Sequence, residues 1–430
     1  MKSKIHLHSI IVLLILFQFR GNCQVSISNT SSPPDPSAML DIKGSEKGLL
    51  VPRMTSIQRA GITDPANALL IYQTDSPVGF YFNQGSPVTP SWKLLSSDPL
   101  SDCESRIPIS SLPFTITESG SYYLTESIDA GGSNGITISA SNVTLDLNGY
   151  TLLSDGSGPL SAVYCNASIS NLVIRNGIIS NWGGHGINGV NASHCNITDM
   201  QISDCKLTGV SVGINSRIEN CTATNNLFDG INTKNQGLVI NCIASNNGTE
   251  GIDVNANSIV STCVVSNNGA NGIEASTKSE VTHCIANDNT EDGIEVAAGG
   301  MINSCNANSN GENGFDISSG SNIRNSTARA NTQNGYKLNS DVFASNNSAD
   351  NNILSGFLLT GNDARLDNNH STDNIQNGFQ ATLSNNVFIR NTTSGNSATA
   401  FNITAGNTVG TILTTGTLNS NTNPFANISF

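Results

Sequence analysis

Asp253, Glu274, Glu295 and Asp316 stand 21 residues apart, each two positions after a glycine. Carboxylates in such a series can hold a divalent cation through oxygen ligands, calcium being the candidate here. They can act as a paired acid and nucleophile on a glycosidic bond, or form a solvated acidic ridge. Spacing does not choose between these, because a repeating fold stacks like residues at its own rise and every neighbouring pair then lies close. Like charges one repeat apart raise each other's pKa or recruit a cation. Asn232 precedes and Lys337 follows in the same column, and Glu250, Glu291, Asp292 and Glu312 fall in the adjoining turn.

A second group surrounds Asn181-Trp182-Gly183-Gly184-His185-Gly186, with Asp146 and Arg175 in nearby repeats. Trp182 can stack on a sugar ring and His185 can move a proton; an elongated turn built on the glycines is the structural alternative. The candidate catalytic residues are therefore Asp146, Arg175, His185, Asp253, Glu274 and Glu295. Trp182 and Asp316 are the binding candidates, and Asp253, Glu274, Glu295 and Asp316 the weak cation candidates. No Gly-rich phosphate loop, serine-nucleophile elbow, zinc spacing or calcium-binding nonapeptide appears. No cofactor is expected beyond a weakly held calcium.

These residues are positioned by a repeat. Gly recurs at 209, 230, 251, 272, 293, 314, 335 and 356, and the following residue is always apolar. Cys221, Cys242, Cys263, Cys284 and Cys305 form a second column, and Asn226, Asn247, Asn268, Asn289, Asn310, Asn331, Asn352, Asn374 and Asn396 a third. Apolar residues alternate within each unit (Ile252 and Val254, Ile294 and Val296), which is strand periodicity. A 21-residue unit of short strands broken by Asn and Gly makes one coil of a parallel solenoid with three strands per turn. Each column then becomes a ladder, with Asn amides bonding along the stack. The repeat glycine is expected to take a positive φ where a turn enters a strand. Stacked Cys residues hold their Cβ vectors parallel, which suits a disulfide badly, so buried free thiols are expected; a disulfide among Cys195, Cys205 and neighbours is the alternative. Eleven of 13 prolines lie at or before Pro113, which leaves the later region free to form an unbroken sheet.

The segment Asn142-Val143-Thr144-Leu145-Asp146-Leu147-Asn148-Gly149-Tyr150 and the Asn-Gly-Ile coils resemble the right-handed parallel β-helix proteins of the pectin-lyase-like superfamily. The resemblance implies an all-β chain whose right-handed, single-stranded parallel β-helix carries Asn and Cys ladders. It would run over residues 107–430 in roughly 13 coils, about 60 Å long. It leaves activity open, because that superfamily holds lyases, hydrolases, epimerases and non-catalytic surface proteins. Residues 24–97, with Leu40-Asp41-Ile42-Lys43, Gly48-Leu49-Leu50-Val51-Pro52-Arg53 and Gly79-Phe80-Tyr81-Phe82-Asn83, resemble a module at the N-termini of exported Bacteroidetes proteins. That resemblance implies a small β-rich unit that assembles into a homotrimer; the residues themselves read as short strands at Leu69–Tyr72 and Gly79–Asn83, with Trp92 closing a small core. Residues 98–106 read as a linker.

The remaining expectations concern destination and partner. Lys2 and Lys4 precede a short apolar run from Ile10 to Phe19, too brief to span a bilayer and suited to a signal peptide over residues 1–23. The chain of 430 residues carries 19 basic and 32 acidic residues, a net charge of −13, and no basic run, which excludes a nucleic-acid partner. No second apolar run reaches membrane length. An exported or cell-surface scaffold is expected, acting without catalysis in binding or adhesion, with a polysaccharide or another surface molecule as partner. A carbohydrate-active enzyme (lyase, glycoside hydrolase or epimerase) on an outer face of the β-helix is the alternative. Against it stand an aromatic content of 5% and the acidic character of the repeat face.

Overall fold

A computed structural model describes residues 24–95, 106–418 and 422–430. The segment assigned to the signal peptide and nearly all of that assigned to the linker lie outside the described residues. The chain divides into two compact units between Glu104 and Ser105.

The first unit is small and open. Val25–Ser28 and Leu40–Lys43 pair in parallel, and Arg53–Met54, Leu70–Gln73, Gly79–Asn83 and Trp92–Leu94 form a four-stranded sheet. Thr55 caps the short helix Ser56–Ala60 and Gln58 closes the capping box, which satisfies its first free N–H groups. Ile71 and Tyr81 are buried, whereas Met39, Leu49, Leu50 and Ile57 are exposed. Trp92 is half-buried, and the Arg59 guanidinium lies between its ring and that of Tyr81.

The second unit is an all-β parallel solenoid. Each regular coil contributes three short strands, for example Ile252–Val254, Ile259–Ser261 and Val264–Ser266. The first strands stack into a 14-stranded sheet, one strand per coil among the described residues, where the repeat predicted about 13 coils. The second and third strands share a 28-stranded sheet that bends between its two faces. The 21-residue register holds throughout the regular coils: Ile252 pairs with Ile273, Val260 with Val281 and Val265 with Ala286.

The corners explain the shape. Each regular coil turns at three residues in the left-handed region; in one coil these are Asn257, Thr262 and Asn267, with φ of 57–58°. Asn and Asp recur there because their short polar side chains tolerate that conformation. The repeat glycines do not: none of Gly209 to Gly378 in the repeat column has a positive φ. They serve close approach instead. A Cβ on Gly251 would lie 2.6 Å from the Asn268 side-chain nitrogen and 2.7 Å from the Gly272 carbonyl oxygen.

Inside the prism the columns become ladders. The Asn247 N–H and its side-chain amide both donate to Asn268 Oδ1, at 3.1 and 3.0 Å, and Asn268 repeats this toward Asn289. Phe315, Tyr336, Phe357, Phe379 and Phe401 stack with ring centroids 4.5–5.1 Å apart. The Tyr336 hydroxyl donates to the Ser326 carbonyl at 2.6 Å. The cysteine column is buried and free of disulfides, and so are Cys195 and Cys205, which stack on Ser216 and Asn226 in other columns. Burial pushes Cys165 and Cys205 up to about 12 and Cys195 to about 11. The same column continues as Ser326, Asn347, Asn369 and Asn391 and ends on Asn427, which accepts from the Asn391 N–H at 2.9 Å.

Candidate functional site

The outer face of the 14-stranded sheet carries most of the residues singled out above. Strand alternation turns Ile252 and Val254 inward and Asp253 outward. Asp253, Glu274, Glu295 and Asp316 follow one another in register across neighbouring strands. Three of the four have side-chain partners. Asn232 donates to Asp253 at 2.6 Å, Asn271 to Glu295 at 2.8 Å, and Lys337 to Asp316 at 2.7 Å.

A second row, one residue before each repeat glycine, lies alongside: His185, Thr208, Asp229, Glu250, Asn271, Asp292, Asn313 and Asn334. Sequence reasoning placed Glu250 and Asp292 in a turn and missed Asp229. The signal was a column polar without exception, visible once the residue before the glycine is aligned. This row is a ladder of its own: the Asn313 N–H and amide donate to Asp292 Oδ1 at 2.7 and 2.9 Å, and Asn334 does the same to Asn313. Thr249 donates to Asp229.

Burial and mutual repulsion disfavour charge along both rows. Burial, then hydrogen bonding with Asp229, pushes Glu250 up to about 7. Burial lifts Asp253 and Asp292 to about 6, and raises Glu274 and Glu295. Glu250 therefore keeps part of its proton near neutral pH. Among the described residues no group of three or more His, Cys, Asp or Glu side chains is arranged to hold a metal ion.

Toward the N-terminal end the same face becomes a cleft of about 250 Å³, lined by Tyr164, His185, Asn188, Ser161, Leu160 and their neighbours. The loop carrying Pro159 and Leu160 walls one side. Tyr164 is 40% exposed. His185 Nδ1 and Asn188 Oδ1 are buried atoms with no hydrogen-bond partner within the protein. Burial holds the imidazole below its usual pKa, so it is neutral at pH 7 and offers one donor and one acceptor nitrogen.

The other predicted residues lie elsewhere. Trp182 is fully buried and donates its indole N–H to the Leu152 carbonyl at 3.1 Å. It is a core residue and cannot stack on a ligand, because its large ring fills the prism where smaller residues stand in other coils. Asp146 and Arg175 sit on the 28-stranded sheet, away from the face that carries His185. Asp146 accepts from Arg175 at 3.1 Å, from Arg106 at 3.4 Å and from the Asn148 N–H at 2.8 Å. That pairing anchors the first coils. The six catalytic candidates thus do not converge: His185, Asp253, Glu274 and Glu295 share one face, and Asp146 and Arg175 another.

Residues 161–304 match a family model described as a right handed beta helix region, and residues 27–108 one described as a phage tail like trimerisation region. No curated protein matches the chain significantly. Among solved structures, the A-module of a mannuronan C-5 epimerase from Azotobacter vinelandii is similar, at 15% identity over 68% of this chain and 90% of that one, TM-score 0.48. An α-1,3-glucanase catalytic unit from Streptomyces thermodiastaticus matches at 14% identity over 74% of this chain and 62% of that one, TM-score 0.40. The Dettilon tailspike protein matches at 15% identity over 69% of this chain and 61% of that one, TM-score 0.39. With register, ladders and family match in agreement, the second unit of this chain is a right-handed parallel β-helix.

Proposed function

We propose that this protein is an extracellular or surface-held β-helix that binds glycan chains on the outer face of its 14-stranded sheet without cleaving them. One observation carries the reading: in the cleft, the exposed ring of Tyr164 lies beside the unpartnered His185 Nδ1 and Asn188 Oδ1. An aromatic face with converging polar atoms suits the CH face and hydroxyls of one sugar ring. The polar double row then offers hydroxyl-binding groups over the following coils. The match of residues 27–108 to a trimerisation region, with the exposed apolar side chains of that unit, supports assembly into a homotrimer.

Saturation-transfer NMR of the full chain against a panel of neutral oligosaccharides tests this. Binding is expected, weakened about tenfold by Tyr164→Ala, with no new reducing ends. Silence across the panel defeats the reading.

A second reading has one observation in its favour. Glu250, which burial and its hydrogen bond with Asp229 push up to about 7, lies beside that carboxylate, and Asp229 also acts on Asp253. A proton-holding carboxyl next to a further carboxylate is the arrangement of a general acid and its partner. Reducing ends or unsaturated uronates that form with the parent chain and not with Glu250→Gln would establish an enzyme in place of a passive binder.

A further inference from the structure

The 28-stranded sheet carries a different kind of cleft near the C-terminal end. Arg365 pairs in register with Phe343, and Asp367 with Ser345, on neighbouring coils. Asp367 is buried and binds two arginines: Arg365 through one terminal nitrogen at 2.9 Å, and Arg390 through Nε at 2.6 Å and a terminal nitrogen. Both guanidinium groups remain about half exposed. Each keeps nitrogens that Asp367 does not use. Two cations against one anion leave a local charge of +1 in a chain whose net charge is −13.

The surroundings are equally specific. Phe343 is 40% exposed, and together with Asn346, Asp367, Asn368 and Arg390 it lines a cavity of about 410 Å³. Asn368 donates to Asn346 at 2.8 Å along the corner column. Arg390 occupies the next corner with φ of 59°, in the left-handed region that Asn adopts more readily. Asn stands there in the two preceding coils and would fold with less strain.

We propose that this cleft is a second ligand site that takes the carboxylate of an acidic glycan. The free guanidinium nitrogens of Arg390, which lines the cavity, grip the carboxylate with those of Arg365, whose guanidinium lies 5.8 Å from the centre of the Phe343 ring; the rest of that ring carries the apolar face of the sugar, and Asn346 and Asn368 receive its hydroxyls. The hydrogen bonds of Arg390 and Arg365 lower the pKa of Asp367 and fix the fork before a ligand arrives. A flat exposed ring beside amides favours a sugar over an acidic peptide, whose side chains carry no ring face. The site goes beyond the reading of the opposite sheet, which rests on uncharged groups.

Isothermal titration of the full chain with tetragalacturonate, tetramannuronate and a sialylated trisaccharide tests the proposal, with maltotetraose and tetraglutamate as comparison probes. At least one acidic glycan binds, about tenfold tighter than either comparison probe. Arg390→Gln and Phe343→Ala each weaken it about tenfold, rising salt weakens it several-fold, and Tyr164→Ala leaves it unchanged. If Arg390→Gln lowers the melting temperature sharply, the exposed Phe343→Ala decides alone. The proposal is overturned if no acidic glycan binds, if tetraglutamate or maltotetraose binds equally, or if Phe343→Ala has no effect. Loss on Tyr164→Ala instead assigns the carboxylate to the opposite face.

Discussion

The side-chain amide of Asn268 occupies the space that a Cβ on Gly251 would need, with only 2.6 Å between that position and the amide nitrogen. Two columns that look independent in the sequence are therefore one device. The glycine of each coil makes room for the asparagine of the next, and that asparagine satisfies backbone and side-chain donors of its neighbours.

Substitution on either side of this contact should destabilise the solenoid. Gly251→Ala is expected to cost about 1–3 kcal/mol through overpacking against an immobile neighbour. Asn268→Ala leaves the Asn247 donors without their acceptor, at about 1–3 kcal/mol. The double variant should cost less than the sum, because removing the amide admits the methyl group. Chemical denaturation of the three variants measures this, and strict additivity would refute the coupling.

Stability should fall as pH rises from about 4 to about 7. Glu250, Asp253 and Asp292 bind protons more tightly when folded than their ordinary carboxylate values allow. In that window the folded chain carries more protons than the unfolded one, so raising the pH favours unfolding. Asp367 acts in the opposite sense, but its contribution is lost only as pH falls below the usual carboxylate range. Melting temperatures at pH 5 should exceed those at pH 8, and Glu250→Gln should flatten the difference. A higher melting point at pH 8 would contradict the assignment.

The cysteine column should be chemically silent. Every one of these thiols is buried. Burial pushes Cys165 and Cys205 up to about 12 and Cys195 to about 11; along the stack, hydrogen bonding between sulfurs raises Cys242 and Cys284 and lowers Cys221, Cys263 and Cys305, so protection there rests on burial. The thiolate is the reactive form. Peptide-resolved mass spectrometry after iodoacetamide treatment should find Cys165 to Cys305 unmodified in the native chain and fully modified in denaturant. Native labelling at any of them would place it outside the core.

Trp182→Ala should cost about 3–5 kcal/mol, as expected for a large core residue, and should remove the indole donor to the Leu152 carbonyl. Denaturation of that variant and of Trp92→Phe separates the core indole from the half-buried one. A loss below 1 kcal/mol for Trp182→Ala would mean that the ring is not packed as described.

The full chain should have about three times its monomer mass by light scattering, in keeping with the trimerisation match. A monomeric mass at micromolar concentration would sink that assembly.

The sequence alone determined the coil. Twenty-one-residue spacing, alternating apolar residues, and in-phase Asn and Cys columns leave little choice but stacked short strands, since identical units bury a shared core only by repeating the same contacts. It also determined that Asp253, Glu274, Glu295 and Asp316 form one outward row. Tertiary structure decided the rest. The direction of Trp182, which interrupts no periodicity, depended on how wide the prism is at that coil. The split between Asp146 with Arg175 and His185 with the acidic row depended on which of three faces each strand joined. The residues at positive φ were the corner residues, often asparagine or aspartate, because the repeat glycines were needed where a neighbouring coil approaches. The Arg365–Asp367–Arg390 cluster, never singled out from the sequence, arises only when corner and strand positions of successive coils are superposed. Periodicity fixes what repeats; departures from it acquire a place, and a chemistry, only once the coils are stacked.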